Sequence, residues 1–463
     1  MITMKFGGTS VGDVPRLKEI VEIVRSFRAR QLVLVASAMS GVTDMLLDTA
    51  RMALRQETDQ VHKNIEVLRQ KHLQIAEALT TDRRQELIAD QSGMLTELEN
   101  LYNGIGFLEE LSPRSLDAVA SFGERLSCTQ IAAILCDSGI PAQYMDARKL
   151  IRTDARFGEA IVDSAITAEN IRRTLPPLIE KNSIPVVTGF IGSTENGITT
   201  TIGRSGSDYT GSIVGAALES EEIWIWTDVD GVMTADPRHI MGTKVLPEIS
   251  YREAAEMSYF GAKVIHPKTM LPAIEKGIPI RIKNTFNPAH PGTLISKTTD
   301  CATGVVKNVT SINNLGLVAI EGNGMLGVPG VSARIFTALA RSDVNIMMIS
   351  QASSEHNVCL IVPGKDCLKS VHELRKEFSD DISRKMIDDI KLKEGVAIIA
   401  VVGEGMRGVP GIAGKTFSAI AQVEVNIIAV AQGSSELNIS LVVDQKDVYK
   451  AVQAIHDTFI TNG

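Results

Sequence analysis

Short, wholly apolar runs alternate with amphipathic stretches from the first residue to about position 290. QLVLVASAM, IPVVTGFIG and EIWIWTDV have no regular polar face, so each predicts a strand covered on both sides. After Asp13 the period changes. Leu17, Ile20, Val21 and Val24 fall on one stripe, with Pro15 in the first turn, which predicts a helix capped by Asp13. Buried strands separated by such helices predict an α/β sheet domain. From about residue 44 to 120 the helical period dominates, as in DMLLDTARMALRQ and HKNIEVLRQKHLQIAEAL. That length exceeds a simple crossover, and the stretch is expected to be a largely helical insert or lid.

NPAHPGTLISK, residues 287–297, has the proline and glycine density of a domain exit. Beyond it the chain repeats itself. GMLGVPGVSARIFTALARSDVNIMMISQASSEHNVCLIV begins at Gly324 and GMRGVPGIAGKTFSAIAQVEVNIIAVAQGSSELNISLVV at Gly405, and the two align without a gap at an offset of 81 residues. Met325/Met406, Pro329/Pro410, Phe336/Phe417, Asn345/Asn426 and Gln351/Gln432 all match, which marks an internal duplication. Each copy predicts strand, VPG turn, helix, strand, SSE turn, strand and helix, a small α+β module. The expected organisation is a sheet domain over residues 1–297, a linker and first module over 298–390, and a second module over 391–463.

Composition narrows the class without naming it. At 463 residues the chain exceeds one ordinary core, so two or three domains are expected. A hydrophobic share of 44% with 22% charged residues is that of a soluble globular protein. A net charge of −8 argues against nucleic acid or an anionic membrane as partner. Five scattered cysteines without a CxxC fit a reducing compartment, and the eight histidines form no metal-ligand spacing. The start shows no basic region followed by an apolar one, and no apolar run reaches membrane-spanning length. A cytoplasmic location is expected.

Candidate chemistry sits in a few short stretches. Lys5 closes the run ITMKF, followed by Gly7 and Gly8 and the hydroxyls of Thr9 and Ser10. Glycines let backbone N–H groups approach an anion closely, so a phosphate cradle is one reading. A P-loop places its lysine after the glycines, whereas Lys5 precedes them. A strand–turn with a surface lysine is the other reading. In TTTIGRSGSDYTGSIVGAAL (199–218) a strand enters a glycine- and serine-rich loop, and a helix is expected to start near Asp208. A helix N-terminus suits an anion, and Arg204 can grip a carboxylate through two parallel hydrogen bonds. Taken alone, Asp208 reads as an N-cap and Ser205 and Ser207 as loop residues; the combination favours a site.

WTDVDGVMTADPR (226–238) follows a strand, at the strand end where α/β sheets bind ligands. It lacks the D-x-D-x-D-G register of a calcium loop. Asp228 and Asp230 fit a loop around a nucleotide with Arg238 nearby, or equally an Asp-Gly turn. SFGERLS (121–127) and FGAKVIHPKT (260–269) each set one charge, Glu124 and Lys263, among small or apolar residues. A solvated Glu124–Arg125 helix pair and a surface lysine are the alternatives.

Together KFGGTS, VASAMSGVTD, SFGERLS, VVTGFIG, GRSGSDYT, WTDVDGV, TADPR and FGAKVIHP resemble the aspartate kinases of the amino-acid kinase fold family, in family order. The duplicated modules resemble that family's tandem ACT domains. The resemblance implies an α/β, three-layer kinase domain with a mainly parallel sheet, followed by two ferredoxin-like α+β ACT modules. It implies transfer of the γ-phosphoryl of ATP to the β-carboxylate of L-aspartate, the first step toward lysine, threonine and methionine. Mg²⁺ is expected to be held mainly by the nucleotide phosphates, with no protein metal site. The chain ends after the second module, so a monofunctional kinase is expected rather than one fused to homoserine dehydrogenase.

Carried over position by position, the resemblance places Lys5 against the transferred phosphoryl group and Gly7, Gly8, Thr9 and Ser10 in its phosphate loop. It gives aspartate to Thr43, Glu124, Arg204 and Ser207, with glutamate on the ammonium and arginine on the α-carboxylate. On the same resemblance, Asp208 matches an aspartate that organises the catalytic lysine. Thr227, Asp228, Asp236, Arg238, Lys263 and Val264 fall on nucleotide positions. Met233 departs from the pattern, because some relatives carry tyrosine there. The ACT modules imply homo-oligomers and feedback inhibition, with Gln351 and Gln432 as effector contacts or as surface residues of a dimerisation module. MISQASSEHNVCLIV is closer to threonine-sensitive than to lysine-sensitive relatives. The rival readings are a lysine-sensitive aspartate kinase, another amino-acid kinase such as a glutamate or acetylglutamate kinase, and a catalytically silent sensor. The last predicts loss of Lys5, Arg204 or Asp208, and all three are present.

Overall fold

A computed structural model describes residues 1–262, 265–299, 305–325, 328–351 and 357–461. The chain divides into two compact units, one of Met1–Val232, Pro247–Tyr251 and Ile265–Thr299, the other of Met233–Leu246, Arg252–Val264 and Asp300–Gly463.

The first unit begins with β1 (Ile2–Phe6), α1 (Val14–Ser26) and β2 (Leu32–Ala36). Asp13 caps α1, its carboxylate accepting the Arg16 N–H at 3.1 Å. Four helices follow: α2 (Val42–Leu54), α3 (Thr58–Leu79), α4 (Arg84–Leu108) and α5 (Pro113–Asp137). The Ser112 hydroxyl and Pro113 start α5. Next come β3 (Ala142–Met145), α6 (Ser164–Thr174), α7 (Pro176–Glu180) and β4 (Ile184–Thr188). A small hairpin of β5 (Ile191–Ser193) and β6 (Thr199–Thr201) leads to α8 (Gly206–Ala217) and β7 (Glu222–Thr227). The unit is completed by β8 (Glu248–Ser250), α10 (Pro267–Lys276), β9 (Ile280–Asn284) and β10 (Thr293–Ser296), while α9 (Tyr251–Tyr259) passes into the second unit from Arg252 onward.

Eight of these strands form one sheet in the order β3-β4-β2-β1-β7-β9-β10-β8, parallel throughout except for β9 against β10. Side-chain alternation along β2 shows why its run is uniformly apolar. Leu32, Leu34 and Ala36 join the core under α1 to α5, while Val33 and Val35 join the core under α6 and α8. Both faces of the strand are buried, giving three layers. Val61, Ile65, Leu68, Leu95, Leu98 and Tyr102 from α3 and α4 share the first of these cores with Ile2 and Met4. The helical stretch is therefore part of the sheet's own core rather than a lid over it.

The second unit shows the duplication in three dimensions. The first copy contributes β11 (Asn308–Glu321), α11 (Val331–Arg341), β12 (Met348–Gln351), β13 (Asn357–Pro363), α12 (Cys367–Glu377) and the short α13 (Ser379–Ser383). The second contributes β14 (Asp389–Val402), α14 (Ile412–Gln422), β15 (Ile427–Gln432), β16 (Asn438–Asp444) and α15 (Val448–His456). Helices α11 and α14 begin at positions equivalent under the repeat, as do β13 and β16. All six strands form one antiparallel sheet, β12-β13-β11-β14-β16-β15, with the equivalent strands β11 and β14 paired at its centre. The sheet curls until its edge strands touch, the Ser350 hydroxyl donating to the Val430 carbonyl at 3.1 Å. Residues 233–246 fold with this unit: Ala235 and Ile240 enter its core, and the Val309 N–H donates to the Thr234 carbonyl at 2.9 Å. No described helix is long and apolar enough to cross a membrane.

Because Leu98 is fully buried in the core shared with β1, Leu98→Ala is expected to lower unfolding stability by about 2–5 kcal/mol. Denaturant unfolding of the two proteins checks it, and a separable lid would give almost no change.

Candidate active site

The site grows from the carboxyl end of β1. Lys5 is buried there, opposite Val35 of β2 and Ile225 of β7. A buried ammonium requires a compensating anion. Asp208, in the first turn of α8, supplies it as an ion pair with Lys5 Nζ and Asp208 Oδ1 2.5 Å apart, outside hydrogen-bond geometry. Gly211 makes the approach possible, since a Cβ there would lie 3.2 Å from the Lys5 Cβ. Helix α8 starts at Gly206, two residues earlier than the sequence suggested, so Asp208 lies within the helix rather than capping it. Ser205 precedes it with φ +57°. Phe190, another residue lining the site, has φ +68°, so two side-chain-bearing residues hold the left-handed conformation here.

Glu124 comes from the middle of α5. Gly123 lets this helix close on Ala38, where an added Cβ would stand 2.7 Å from the alanine Cβ and 3.6 Å from the Thr43 hydroxyl. Glu124 is only 3% exposed, so Glu124 and Arg125 are not a solvated pair. Burial pushes the Glu124 carboxyl up to about 8, against the Ala38 N–H and, more weakly, the charge of Lys5. Its Oε2 has no hydrogen-bond partner among the described residues. Arg204 stands exposed and makes no ion pair among the described residues.

Lys5, Thr43, Glu124, Arg204, Ser207 and Asp208 line one open cavity of about 440 Å³. Sequence reasoning named all six. It missed Gly158 and Glu159, which arrive from an irregular loop without a motif, and Ser37, Ala38 and Phe190, which sat unremarked inside VASAM and VVTGFIG. A buried carboxyl group, an exposed guanidinium and a lysine–aspartate pair around one cavity suit a small zwitterion beside a second anion.

The glycine-rich turn is already partly engaged. The Gly7 N–H donates to the Trp226 carbonyl at 3.1 Å and the Ser10 N–H to the Gly7 carbonyl at 2.9 Å. The Ser10 hydroxyl lies 2.7 Å from that of Thr285. Among the described residues the Gly8 and Thr9 amides donate to no protein acceptor, leaving these two N–H groups for an anion. At the end of β7 the Thr227 hydroxyl donates to Asp228 at 3.2 Å. Asp236 and Arg238 lie in the second unit and pair at 2.6 Å, which holds the Asp236 carboxyl below its ordinary value. Lys263 and Val264 lie outside the described residues. Gln351 and Gln432 are exposed at the ends of β12 and β15.

Residues 1–284 match the amino acid kinase family, and residues 318–378 and 399–459 each match the ACT domain. A bifunctional aspartokinase/homoserine dehydrogenase of Arabidopsis thaliana is 37% identical over 98% of this chain and 50% of its own length. The chain thus spans about half the length of the bifunctional relatives it matches. The aspartokinase of Schizosaccharomyces pombe is 32% identical over 98% of this chain and 92% of its own. Escherichia coli aspartokinase III in complex with aspartate and ADP superimposes with a TM-score of 0.82, at 30% identity over 99% of each chain. The same enzyme with lysine and aspartate gives 0.81 over the same shares, also at 30% identity. The chain belongs to the amino acid kinase family and, within it, to the aspartokinases.

The raised Glu124 value sets a pH dependence. Between its ordinary value near 4.5 and about 8, the folded protein holds a proton that the unfolded chain has lost, so stability falls as pH rises through this window. Glu124→Gln is expected to remove that fall, by about 1.4 kcal/mol per unit of pH. Thermal unfolding of both proteins at pH 5 and pH 8 checks this; equal differences at the two pH values would refute it.

Proposed function

We propose that the protein transfers the γ-phosphoryl group of ATP to the β-carboxylate of L-aspartate, giving 4-phospho-L-aspartate. The observation that carries this reading is the convergence of the Lys5–Asp208 pair, buried Glu124 and Arg204 on one cavity. Glu124 receives the substrate ammonium, which supplies the partner its Oε2 lacks and favours its ionised form. Arg204 takes the α-carboxylate, with the Thr43 and Ser207 hydroxyls alongside. The β-carboxylate is then the remaining end of the substrate, directed toward Lys5. It is already ionised at neutral pH and needs no general base.

The barrier is repulsion between that carboxylate and the phosphates, together with charge spread over the transferring group. Lys5 faces this charge, and Asp208 fixes the ammonium in place. The N-terminus of α8 and the Gly8 and Thr9 amides add fixed positive ends of dipoles, with Gly7 and Ser10 shaping the turn. Thr227, Asp228, Asp236, Arg238, Lys263 and Val264 are proposed as nucleotide contacts. Among the described residues no three His, Cys, Asp or Glu side chains converge as metal ligands. Mg²⁺, as the family resemblance implies, would be held mainly by the nucleotide phosphates and would offset their charge. The E. coli complex with aspartate and ADP supports the substrate pair. Acetylglutamate has no free ammonium and would leave the buried Glu124 without a cationic partner, which disfavours the acetylglutamate kinase reading.

The ACT modules are proposed to bind an amino-acid effector near Gln351 and Gln432 and to join copies of the chain. Threonine is favoured on the MISQASSEHNVCLIV stretch. Lysine is the second reading, since the E. coli enzyme was solved with lysine. Inhibition requires the effector to bind a weakly active arrangement more tightly than an active one.

ATP turnover measured with aspartate, glutamate and acetylglutamate should proceed with aspartate alone, and absence of aspartate-dependent turnover would overturn the assignment. Lys5→Ala should reduce kcat by about 100-fold or more with aspartate KM little changed; near-normal kcat would remove Lys5 from its role. Titration with threonine should inhibit, whereas inhibition by lysine alone would reverse the effector assignment.

A further inference from the structure

Resting on the aspartate-binding reading above, we infer that Asp117 is a positioning residue that fixes the distance between the ammonium-binding and carboxylate-binding ends of the substrate cavity. Asp117 lies on α5, seven residues before Glu124. Seven residues are two helical turns, so the two carboxyl groups share one face of the helix about 10 Å apart along its axis. Asp117 is 3% exposed. The Gly158 N–H donates to its two oxygens at 3.0 and 2.9 Å, the Thr201 N–H to Oδ2 at 2.9 Å and the Thr201 hydroxyl to Oδ1 at 2.7 Å.

Gly158 belongs to one wall of the cavity and Thr201 to the strand that leads into another. Gly158 and Glu159 line the cavity directly. Thr201 ends β6, three residues before Arg204, with Gly203 between them at φ +84°. The walls are also joined to each other, because the Ala160 N–H donates to the Thr201 carbonyl at 2.9 Å. One carboxylate on the Glu124 helix thus holds the strand that delivers Arg204 and the loop that closes the third side. Every group facing Asp117 here is a donor, so the position requires an acceptor on both oxygens. Asparagine is isosteric yet would turn an NH₂ group toward one of those N–H groups. Burial favours the protonated acid, raising the Asp117 value, and the three donors oppose that rise.

A role confined to packing would lower stability and leave substrate selectivity untouched. The test is steady-state kinetics of the full-length protein carrying Asp117→Asn, Thr201→Val, Thr201→Ser or the Asp117→Asn/Thr201→Val pair. Aspartate KM should rise about tenfold or more in Asp117→Asn and about two- to fivefold in Thr201→Val, with ATP KM unchanged and kcat within a few fold. Thr201→Ser, which restores the hydroxyl, should return aspartate KM toward wild type. The pair should be no worse than Asp117→Asn alone, since both act on one linkage. Aspartate KM within twofold of wild type in both single variants, or ATP KM rising in step with aspartate KM, overturns the inference. If Asp117→Asn does not fold, the Thr201→Val and Thr201→Ser pair decides by the same criterion. Failure of the proposed activity itself is separate, since wild-type protein would then show no aspartate-dependent turnover.

Discussion

A lysine that leaves a parallel strand into the protein interior must be met by a fixed anion, and the rest of the cavity is arranged around that requirement. Asp208 meets Lys5 from the first turn of α8. To reach it, α8 must run close over β1, which is why the helix has no side chain at residue 211. The chain must also turn sharply from β6 into α8, and Ser205 takes a left-handed conformation to do so. With Lys5 satisfied by Asp208, Glu124 has no ion-pair partner among the described residues, and its Oε2 accepts no hydrogen bond. One ion pair thus leaves a compensated cation and an uncompensated buried carboxyl group on the same cavity.

Much of this was readable before any coordinates. The central strands are apolar runs because both faces are covered, so β1, β2, β4 and β7 appear plainly. The half-exposed edge strand β3, AQYM, has no such run and carries no strong signal. Asp13, with Pro15 in the first turn, marks the start of α1 by local chemistry. The family resemblance brought Lys5, Glu124, Arg204 and Asp208 into view together, although nothing in the linear sequence gave the burial of Glu124. Asp117 was invisible because an aspartate two turns before a glutamate reads as ordinary helix polarity; its meaning depends on Gly158 and Thr201, far away in sequence. Likewise no linear pattern reveals that residues 233–246 leave the sheet domain's company.

The duplicated half shows a different logic. Its two copies place equivalent strands, β11 and β14, side by side in the middle of one sheet and send their other strands outward. The edge strands β12 and β15, which would otherwise offer unpaired backbone, curl into contact through Ser350 and Val430. Gln351 and Gln432 end those two strands.

Residues 233–246 carry a further implication. The sequence match to the catalytic family runs unbroken to residue 284, which invites trimming the chain to that half for expression or recombination. Yet Ala235 and Ile240 are seated among apolar side chains of the C-terminal half, and the Thr234 hydroxyl lies 2.9 Å from His456 Nε2. A truncated half would carry this loop into water with its greasy contacts stripped away. Sequence modularity and physical modularity part company here: the family match runs as one block, while residues 233–246 inside it pack with the other half.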